Sequence, residues 1–381
     1  MSRLKHCASV IILLQLFSGP AHSDPLSDWR AEHSVLIDPS AKPVVPDSPE
    51  MFAMRIAPIK TKADKGDAEA IKEVCSYYCS MKAIPHNSPD AVKWCLKGAE
   101  NGDSASQFLL GEIYANGTHG AIQSYAEAAK WFQRAAEQGN VAAEYNLARY
   151  TYHGWGVPPN RAAAVELFRR AADHDNSEAQ NVMGWFYAQG DSVKQDYGQA
   201  LNYFRAASRQ GFPTALLNLG VMYEMGWGVQ PDLTEASNWY QKAADRQHTA
   251  AMINLGSLAV RGPKRDYEEA LHWFLEAAER GDASGQFFVA NLYAQHLIRP
   301  DKIDAYKWAS LALDTYRDKG DKSASSGRYF YPTDPLPAMA NDMTPDQLAE
   351  AQKNIALWKA SPHPGAVSLE IPFLTPLHVW P

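Results

Sequence analysis

The sequence predicts an all-α protein built from about seven tandem helix pairs. Three observations support this: an aromatic-centred block recurs every 34 to 37 residues, small residues recur at fixed offsets around it, and helix-capping residues precede each copy. Such a period is typical of repeat proteins, in which each unit buries its apolar face against its neighbours. With 46% hydrophobic and 21% charged residues, the 381-residue chain can bury a large core.

The recurring block places a large side chain between small ones, as in AKWFQRAAEQG and LNYFRAASRQG. A small residue lies three positions before the large one and another lies four positions after it, so all three share one helix face. We therefore expect the large residue to fill the space between repeats where helices cross closely. The seven positions are Trp94, Trp131, Leu167, Tyr203, Trp239, Trp273 and Trp308.

A residue with a short polar side chain precedes each block and predicts where the second helix of each pair begins. Such side chains accept hydrogen bonds from the exposed N–H groups of the first helical turn. The seven predicted N-caps are Asn87, Ser124, Asn160, Asp196, Asp232, Asp266 and Asp301.

The first helix of the pair carries a pattern that is best seen as LGxxYxxG at residues 110–117 and again at 219–226. A glycine inside a helix costs about 1 kcal/mol relative to alanine, so its recurrence at 111, 184, 220 and 256 indicates a close helix approach. The last glycine of the pattern is expected to end the helix in a left-handed conformation. The predicted helix-ending glycines are Gly117, Gly154, Gly190, Gly226 and Gly262.

Together these motifs resemble the Sel1-like repeat family, relatives of the tetratricopeptide repeats, and we assign residues 61–320 to the repeat array. The resemblance implies a right-handed α-solenoid of antiparallel helix pairs that serves as a scaffold or adaptor for other proteins. Exported members are associated with sensor-kinase regulation, exopolysaccharide assembly and host-cell invasion. An envelope sensor or a secretion component is therefore the expected kind of partner.

The N-terminus predicts export. A basic head, an apolar run and a small-x-small site ending at Ser23 make residues 1–23 a signal peptide, with no membrane insertion after cleavage. We expect a periplasmic or secreted protein. Losing Arg3 and Lys5 changes the net charge from −7 to −9, which disfavours nucleic acid as a partner. Residues 24–60 are proline-rich and predict an extended arm.

The repeat pattern stops at residue 320. Residues 321–360 predict a linker and a capping helix, which begins at a capping box from Thr344 to Gln347. Residues 361–381 contain one acid, no lysine or arginine, and five prolines. This tail is too apolar for an ordinary solvated segment, and we expect it to dock on the repeats or on a partner.

The first-helix face opposite the recurring glycines predicts a partner-binding groove. It mixes apolar side chains with amides and arginines, whereas a solvated helix face is normally more charged. The alternative is that the C-terminal tail covers this face. The predicted groove residues are Asn146, Arg149, Trp185, Asn218, Val221, Met225 and Asn254.

Two tryptophans, Trp155 and Trp227, occupy the variable slot of the motif GxGV. Two interpretations stay open. Each ring either packs on the neighbouring loop or serves as an exposed partner-binding anchor, since tryptophan is enriched at interface hot spots.

Three cysteines follow the leader, all in the first repeat. Export favours disulfide formation, and we predict a bond between Cys79 and Cys95 because Cys75 occupies the buried small-residue slot. A zinc site of three cysteines and His86 is conceivable. Cysteines of exported proteins pair more often, so we predict no metal site and no cofactor.

The mature sequence contains no SxxK, HExxH, GxSxG or phosphate-loop motif. We therefore expect an interaction protein and not an enzyme. Because some Sel1-like proteins have been linked to β-lactam binding or hydrolysis, a cell-wall or β-lactam-binding enzyme is one alternative. A secreted virulence factor that engages host proteins is another.

Overall fold

The computed structural model describes residues 49–80, 89–318 and 334–361, and within these ranges every regular element is a helix. Within each of the two units given below, successive helices of the repeats pack against each other. The all-α repeat fold, an α-solenoid of helix pairs, is confirmed. Among the helices described, none is long and apolar enough to cross a membrane. The chain divides into two compact units, Met1–Phe212 and Pro213–Pro381.

The described part of the first unit contains one helix that precedes the repeats and then four helix pairs. In chain order its described helices are α1 (Pro49–Asp64), α2 (Ala68–Ser80), α3 (Pro89–Glu100), α4 (Ser104–Asn116), α5 (Tyr125–Glu137), α6 (Val141–His153), α7 (Arg161–Asp173), α8 (Ser177–Gln189) and α9 (Tyr197–Arg209).

The second unit contains three helix pairs followed by two C-terminal helices. Its described helices are α10 (Pro213–Met225), α11 (Leu233–Ala244), α12 (Thr249–Arg261), α13 (Tyr267–Glu279), α14 (Ala283–Ala294), α15 (Lys302–Asp318), α16 (Leu336–Asn341) and α17 (Pro345–Ala360).

The predicted N-caps are confirmed at six positions. Ser124, Asn160, Asp196, Asp232 and Asp266 each accept a hydrogen bond from a backbone N–H of the helix that follows. Asp301 accepts hydrogen bonds from the backbone N–H groups of residues 303 and 304 in the same way. Asn87 lies outside the described residues.

Four of the five helix-ending glycines have positive φ angles as predicted, with values between 61° and 77°. Gly262 is the exception, because it ends α12 with φ −60° and ψ 161°. Pro263 follows it, and a residue before proline is driven toward extended conformations. The left-handed conformation predicted for Gly262 is therefore wrong.

The recurring mid-helix glycines do mark close helix approaches, but the group they meet is not the predicted one. A Cβ added at Gly184 would lie 2.6 Å from the Phe204 ring, and one at Gly220 would lie 2.4 Å from the Tyr240 ring. Each ring belongs to the residue after the predicted space-filling position. Fully buried rings of this kind are Phe132, Phe204, Tyr240 and Phe274.

The predicted large residues differ in burial. Trp94 and Trp308, in the first and last repeats, are 1% and 3% exposed and are followed by the small residues Cys95 and Ala309. Trp131 is 5% exposed although the Phe132 ring follows it, whereas Tyr203, Trp239 and Trp273 are only half-buried.

The N-terminal arm requires a correction. Residues 49–60 were expected to be extended but belong to α1, which continues to Asp64. Ile56 and Ala63 of α1 are buried in a core cluster with Ile71 and Val74 of α2. This helix therefore covers the outer side of the first repeat. Residues 1–48, including the predicted leader, lie outside the described residues.

At the C-terminus, the capping box at Thr344 is present and opens α17. Trp358 of α17 packs edge-on against Trp308 of α15, with ring centroids 6.4 Å apart. Lys359 and Asp314 form an ion pair at 2.6 Å between the same helices. The helix thus covers the last repeat. The tail from residue 362 onward lies outside the described residues.

Candidate partner-binding surface

The predicted groove of the first unit is only partly open. On α6, Asn146 is 7% exposed, and its Nδ2 donates a hydrogen bond to Glu112 Oε1 of α4 at 3.2 Å. Trp185 of α8 is 6% exposed. Both side chains therefore contribute mainly to packing between repeats. Arg149 keeps a half-exposed side chain on the same face.

In the second unit the open face predicted at α10 is wrong at two positions. Asn218 and Val221 are both 0% exposed, so neither side chain is available to a partner. A helical wheel treats each helix alone, whereas first helices of adjacent repeats also contact each other, as α12 and α14 do. Met225 and Asn254 are half-buried and remain accessible in part.

Arg261, the last residue of α12, takes part in an ion pair that the sequence did not predict. Arg261 Nη2 lies 2.6 Å from Glu224 Oε1, and the Tyr240 hydroxyl donates to Glu224 Oε2 at 2.6 Å. Burial, and then the Glu224 charge, raise the pKa of Tyr240 well above its usual value. These groups link α10, α11 and α12, and their contacts stabilise the packing of the three helices.

Around Trp155 the first unit presents a cluster of rings and one guanidinium, which we call the Arg149–Trp155 patch: Tyr125, Tyr145, Arg149, His153 and Trp155. The Arg149 guanidinium lies 5.6 Å from the Trp155 ring centroid and 5.9 Å from that of Tyr145. His153 stacks on Trp155 with centroids 4.5 Å apart. Such cation–ring contacts hold a guanidinium in a preferred orientation.

The loop that carries Trp155 is pressed against the start of α5. Gly156 has φ 66°, and a Cβ there would lie 2.3 Å from backbone atoms of Tyr125 and Ala126. The Trp155 ring stacks on Tyr125 at 6.2 Å. For Trp155 the structure thus shows packing on the preceding repeat, with the ring half-buried.

Trp227 begins the corresponding loop of the second unit. Its backbone N–H donates to the Met222 carbonyl at 3.0 Å, and its ring is half-buried.

Burial determines which side chains of the Arg149–Trp155 patch are charged. Burial of His153 lowers its pKa to about 4, and the nearby Arg149 and Arg161 lower it further. His153 keeps an exposed edge, but burial of the rest of its ring and both cations favour its neutral form. Burial raises the pKa of neighbouring Glu112 to about 7, against the opposing effect of Arg149. Near neutral pH, Arg149 is therefore the main charge of this surface.

The predicted disulfide is corrected by the structure. Cys75 is bonded to Cys95, and Cys79 is the free thiol. Cys75 occupies the slot that holds glycine in later repeats, and Cys95 occupies the position of the aromatic ring that meets that glycine. The feature used to exclude Cys75 therefore places it against Cys95. The Cys79 Sγ lies 3.6 Å from the Cys95 Sγ.

A buried polar contact also recurs between repeats, three positions before the leucine slot of the LG motif. The Gln107 amide donates to the Ala99 carbonyl of the preceding repeat, and the Gln138 amide donates to Gln107 Oε1 at 2.7 Å. Gln180 repeats this pattern with the Ala172 carbonyl and with Gln210. The recurrence of glutamine at this position was the sequence signal that could have found it.

In the third repeat the same position holds Glu144, whose side chain is fully buried. Arg170 donates both to Glu144 Oε1 and to the Ala136 carbonyl of the preceding repeat. His174 Nδ1 lies 3.2 Å from Glu144 Oε2. A buried carboxylate needs such partners because an unpaired one is very costly to desolvate.

Comparison with protein families finds the Sel1 repeat in seven consecutive copies. They span residues 68–103, 104–140, 141–176, 177–212, 213–248, 249–282 and 283–314.

Solved structures agree with this. The crystal structure of a Sel1 repeat protein from Oxalobacter formigenes is 28% identical with a TM-score of 0.56, covering 59% of this chain and 94% of that one. The structure of c5321, a protective antigen of uropathogenic Escherichia coli strains displaying an SLR fold, is 22% identical with a TM-score of 0.59. It covers 92% of this chain and 72% of that chain, and it bears on the fold alone. Comparison with curated proteins returns no match. By its seven matched copies, the chain belongs to the Sel1 repeat family.

Proposed function

We propose that this chain is an exported scaffold that binds a partner protein through the Arg149–Trp155 patch, as a periplasmic regulator or envelope-assembly factor. Sel1 repeat proteins are generally protein–protein interaction scaffolds, which supports the scaffold role. Export rests on the signal-peptide pattern of residues 1–23.

The observation that carries the binding site is the position of Arg149 between two rings. Its guanidinium lies near both Tyr145 and Trp155 on a half-exposed face. A side chain held in place before binding loses less entropy on association. Arginine, tryptophan and tyrosine are also the residues that most often dominate interface energetics.

The partner group that fits this patch best is a carboxylate. Guanidinium binds carboxylates through paired, charge-assisted hydrogen bonds. The nearby Glu112 competes weakly, because its raised pKa of about 7 leaves it partly protonated near neutral pH. An acidic side chain or a chain terminus presented by the partner is therefore the expected contact.

In the second unit, Met225, Asn254 and Trp227 are the predicted binding residues that keep accessible surface. We propose them as secondary contacts. Asn218 and Val221 are left out of the proposed surface because both are fully buried.

The test is a cross-linking pull-down with the mature protein from its own cell envelope, comparing wild type with Arg149→Ala. We expect Arg149→Ala to lose one or more captured proteins. Arg134→Ala is the matched control, since Arg134 is also stacked on a tryptophan, at 4.6 Å from the Trp131 centroid, but on a second helix. Circular dichroism checks that all three proteins are equally helical.

Equal capture by all three proteins would contradict the proposed site, and capture of nothing above background would contradict the scaffold role. Cell fractionation separates the two exported alternatives. Mature chain retained with the envelope supports a periplasmic role, whereas mature chain in the medium supports a secreted factor. Labelling by a penicillin probe would favour the enzyme alternative.

A further inference from the structure

The first repeat brings three cysteine sulfurs together. Cys75 and Cys79 lie one turn apart on α2, Cys95 lies on the facing α3, and the three Sγ atoms are all within 4.8 Å of one another. A disulfide needs only two of them. The third sulfur, of Cys79, is in contact with Cys95 at 3.6 Å.

Most side chains around these sulfurs are apolar, and the Glu112 carboxyl lies near enough to act on Cys79. Ile71, Val74 and Trp94 are at most 1% exposed and belong to the same core cluster. Burial raises the pKa of Cys79 to about 12, and the neighbouring Glu112 charge adds to the shift. Cys79 is therefore a protonated, weakly nucleophilic thiol near neutral pH. A bound metal ion would replace that proton, because only the thiolate is a good metal ligand.

We propose that reduction of the Cys75–Cys95 disulfide turns this cluster into a three-coordinate thiolate site for Cu(I). Metal–sulfur bonds of about 2.3 Å in a trigonal plane place the sulfurs about 4 Å apart. The Cys79 and Cys95 sulfurs are already 3.6 Å apart and all three lie within 4.8 Å of one another, so reduction needs to release only the Cys75–Cys95 bond of 2.06 Å. Soft thiolate ligands select Cu(I).

Zinc fits this ligand set less well. Structural zinc sites are almost always four-coordinate. Among the described residues, the cluster holds three cysteines and no histidine or carboxylate ligand atom. Three sulfurs in a mostly apolar shell suit a low-coordinate soft ion better.

The disulfide and the metal site exclude each other. A dithiol reductant transfers two electrons and two protons to the disulfide, giving the thiols of Cys75 and Cys95, and is itself oxidised to a disulfide. Cu(I) then binds the three sulfurs with release of their thiol protons and without a change in its oxidation state. The tightness of binding should therefore rise with pH.

The experiment titrates the mature chain with Cu(I) against a chromogenic Cu(I) chelator under anaerobic conditions. One sample is oxidised and the other has been reduced with a dithiol that is then removed by gel filtration. We expect one tightly bound Cu(I) per reduced chain and none in the oxidised chain. Cys79→Ser keeps the disulfide pair but lacks the third ligand, and it should bind at least about 100-fold more weakly after reduction.

Equal affinity of wild type and Cys79→Ser would overturn the proposal, as would Zn(II) binding as tightly as Cu(I). If reduction unfolds the first repeat, Cu(I) should restore the lost helical signal in circular dichroism, because metal binding then drives folding. A reduced chain that neither binds Cu(I) nor regains helix would also overturn it.

Discussion

The first repeat and the central repeats make the same helix contact by different chemistry. In a central repeat a glycine lets an aromatic ring lie against its helix, as Gly184 does for Phe204. In the first repeat the equivalent positions are Cys75 and Cys95, joined covalently. The close approach is thus the requirement of the fold, and the residues that achieve it can vary. Covalent closure occurs in the first repeat, which like the last has a neighbouring repeat on one side only.

Breaking the disulfide should cause the largest difference in stability between the first repeat and the central repeats. It closes a loop with a sequence separation of 20, for which chain entropy predicts a loss of about 3 kcal/mol on reduction. Hydrogen exchange with and without reductant should show faster exchange in α2 and α3 and little change in the central repeats, since repeats are stabilised mainly by their neighbours.

Cys79→Ser is the control for that experiment, because it keeps the disulfide and should respond to reductant like wild type. A uniform loss of protection from hydrogen exchange over all repeats would show that the disulfide stabilises the whole chain and not only the first repeat.

Filling the glycine slot of a central repeat should be the next largest effect. A Cβ at Gly184 would lie 2.6 Å from Phe204, so we expect Gly184→Ala to lower the free energy of unfolding by about 2 kcal/mol, despite the helix preference of alanine. Urea denaturation measures it. The matched control is Gly198→Ala in the exposed first turn of α9, where the nearest atom to an added Cβ is Asp196 Oδ1 at 3.2 Å; its effect should stay within about 1 kcal/mol. Equal effects at both sites would refute the packing explanation.

The glycine–ring contact of the central repeats can also be built into the first repeat, by the double substitution Cys75→Gly/Cys95→Phe. The buried ring should make this variant about 1 kcal/mol more stable than Cys75→Ala/Cys95→Ala. Its stability should also be independent of reductant. Thermal unfolding of the two double variants, each with and without a dithiol, tests both points. A less stable Gly/Phe variant would show that Trp94 leaves no room for a second ring.

A pH-dependent effect concerns Glu112, which lies near the first repeat and raises the pKa of Cys79. Burial raises the pKa of Glu112 from 4.5 to about 7, so the folded state holds its proton more tightly than the unfolded state. Its contribution to stability is complete below about pH 4.5 and is lost as the pH rises through about 7. Glu112→Gln should therefore flatten the fall in stability over this window.

Glu166→Gln is the opposite control for that pH series. The hydrogen bond from Arg169 lowers the pKa of Glu166, so its small contribution is present above the unfolded pKa and is lost as the pH falls. A matching slope change in both variants would contradict the assignment to Glu112. Urea unfolding at several pH values provides the measurement.

Local signals in the sequence were sufficient for the repeat period and for most helix starts. The N-cap residues from Ser124 to Asp301 act within one helical turn, so neighbouring repeats hardly change their preference. The same is true of the capping box at Thr344. By contrast, the backbone conformation of Gly262 is set by the proline that follows it, and this effect overrides the left-handed conformation that the other repeats have at that position.

The remaining errors concern contacts between helices. The ring that meets Gly220 is Tyr240, one residue beyond the predicted Trp239, because helix rotation about its axis is set by the partner helix. Asn218 and Val221 looked free on a wheel of one helix but are buried in the assembled unit. The sequence already aligned Cys75 with the glycine slot, but Cys95 aligns with the ring position only once Tyr240, and not Trp239, is known to be the ring that meets the glycine.

The recurring buried glutamine bears on how such a chain can be rebuilt by recombination. Gln107 and Gln180 each donate a hydrogen bond to a main-chain carbonyl of the preceding repeat. Because every residue has a main-chain carbonyl, this acceptor is present whatever the sequence of the preceding repeat. The side-chain complements of both glutamines lie within their own repeats, and Glu144 likewise brings Arg170 and His174 with it. A whole repeat can therefore be transplanted as a unit at this contact, whereas a crossover between its two helices would leave the Glu144 side chain without Arg170 and His174.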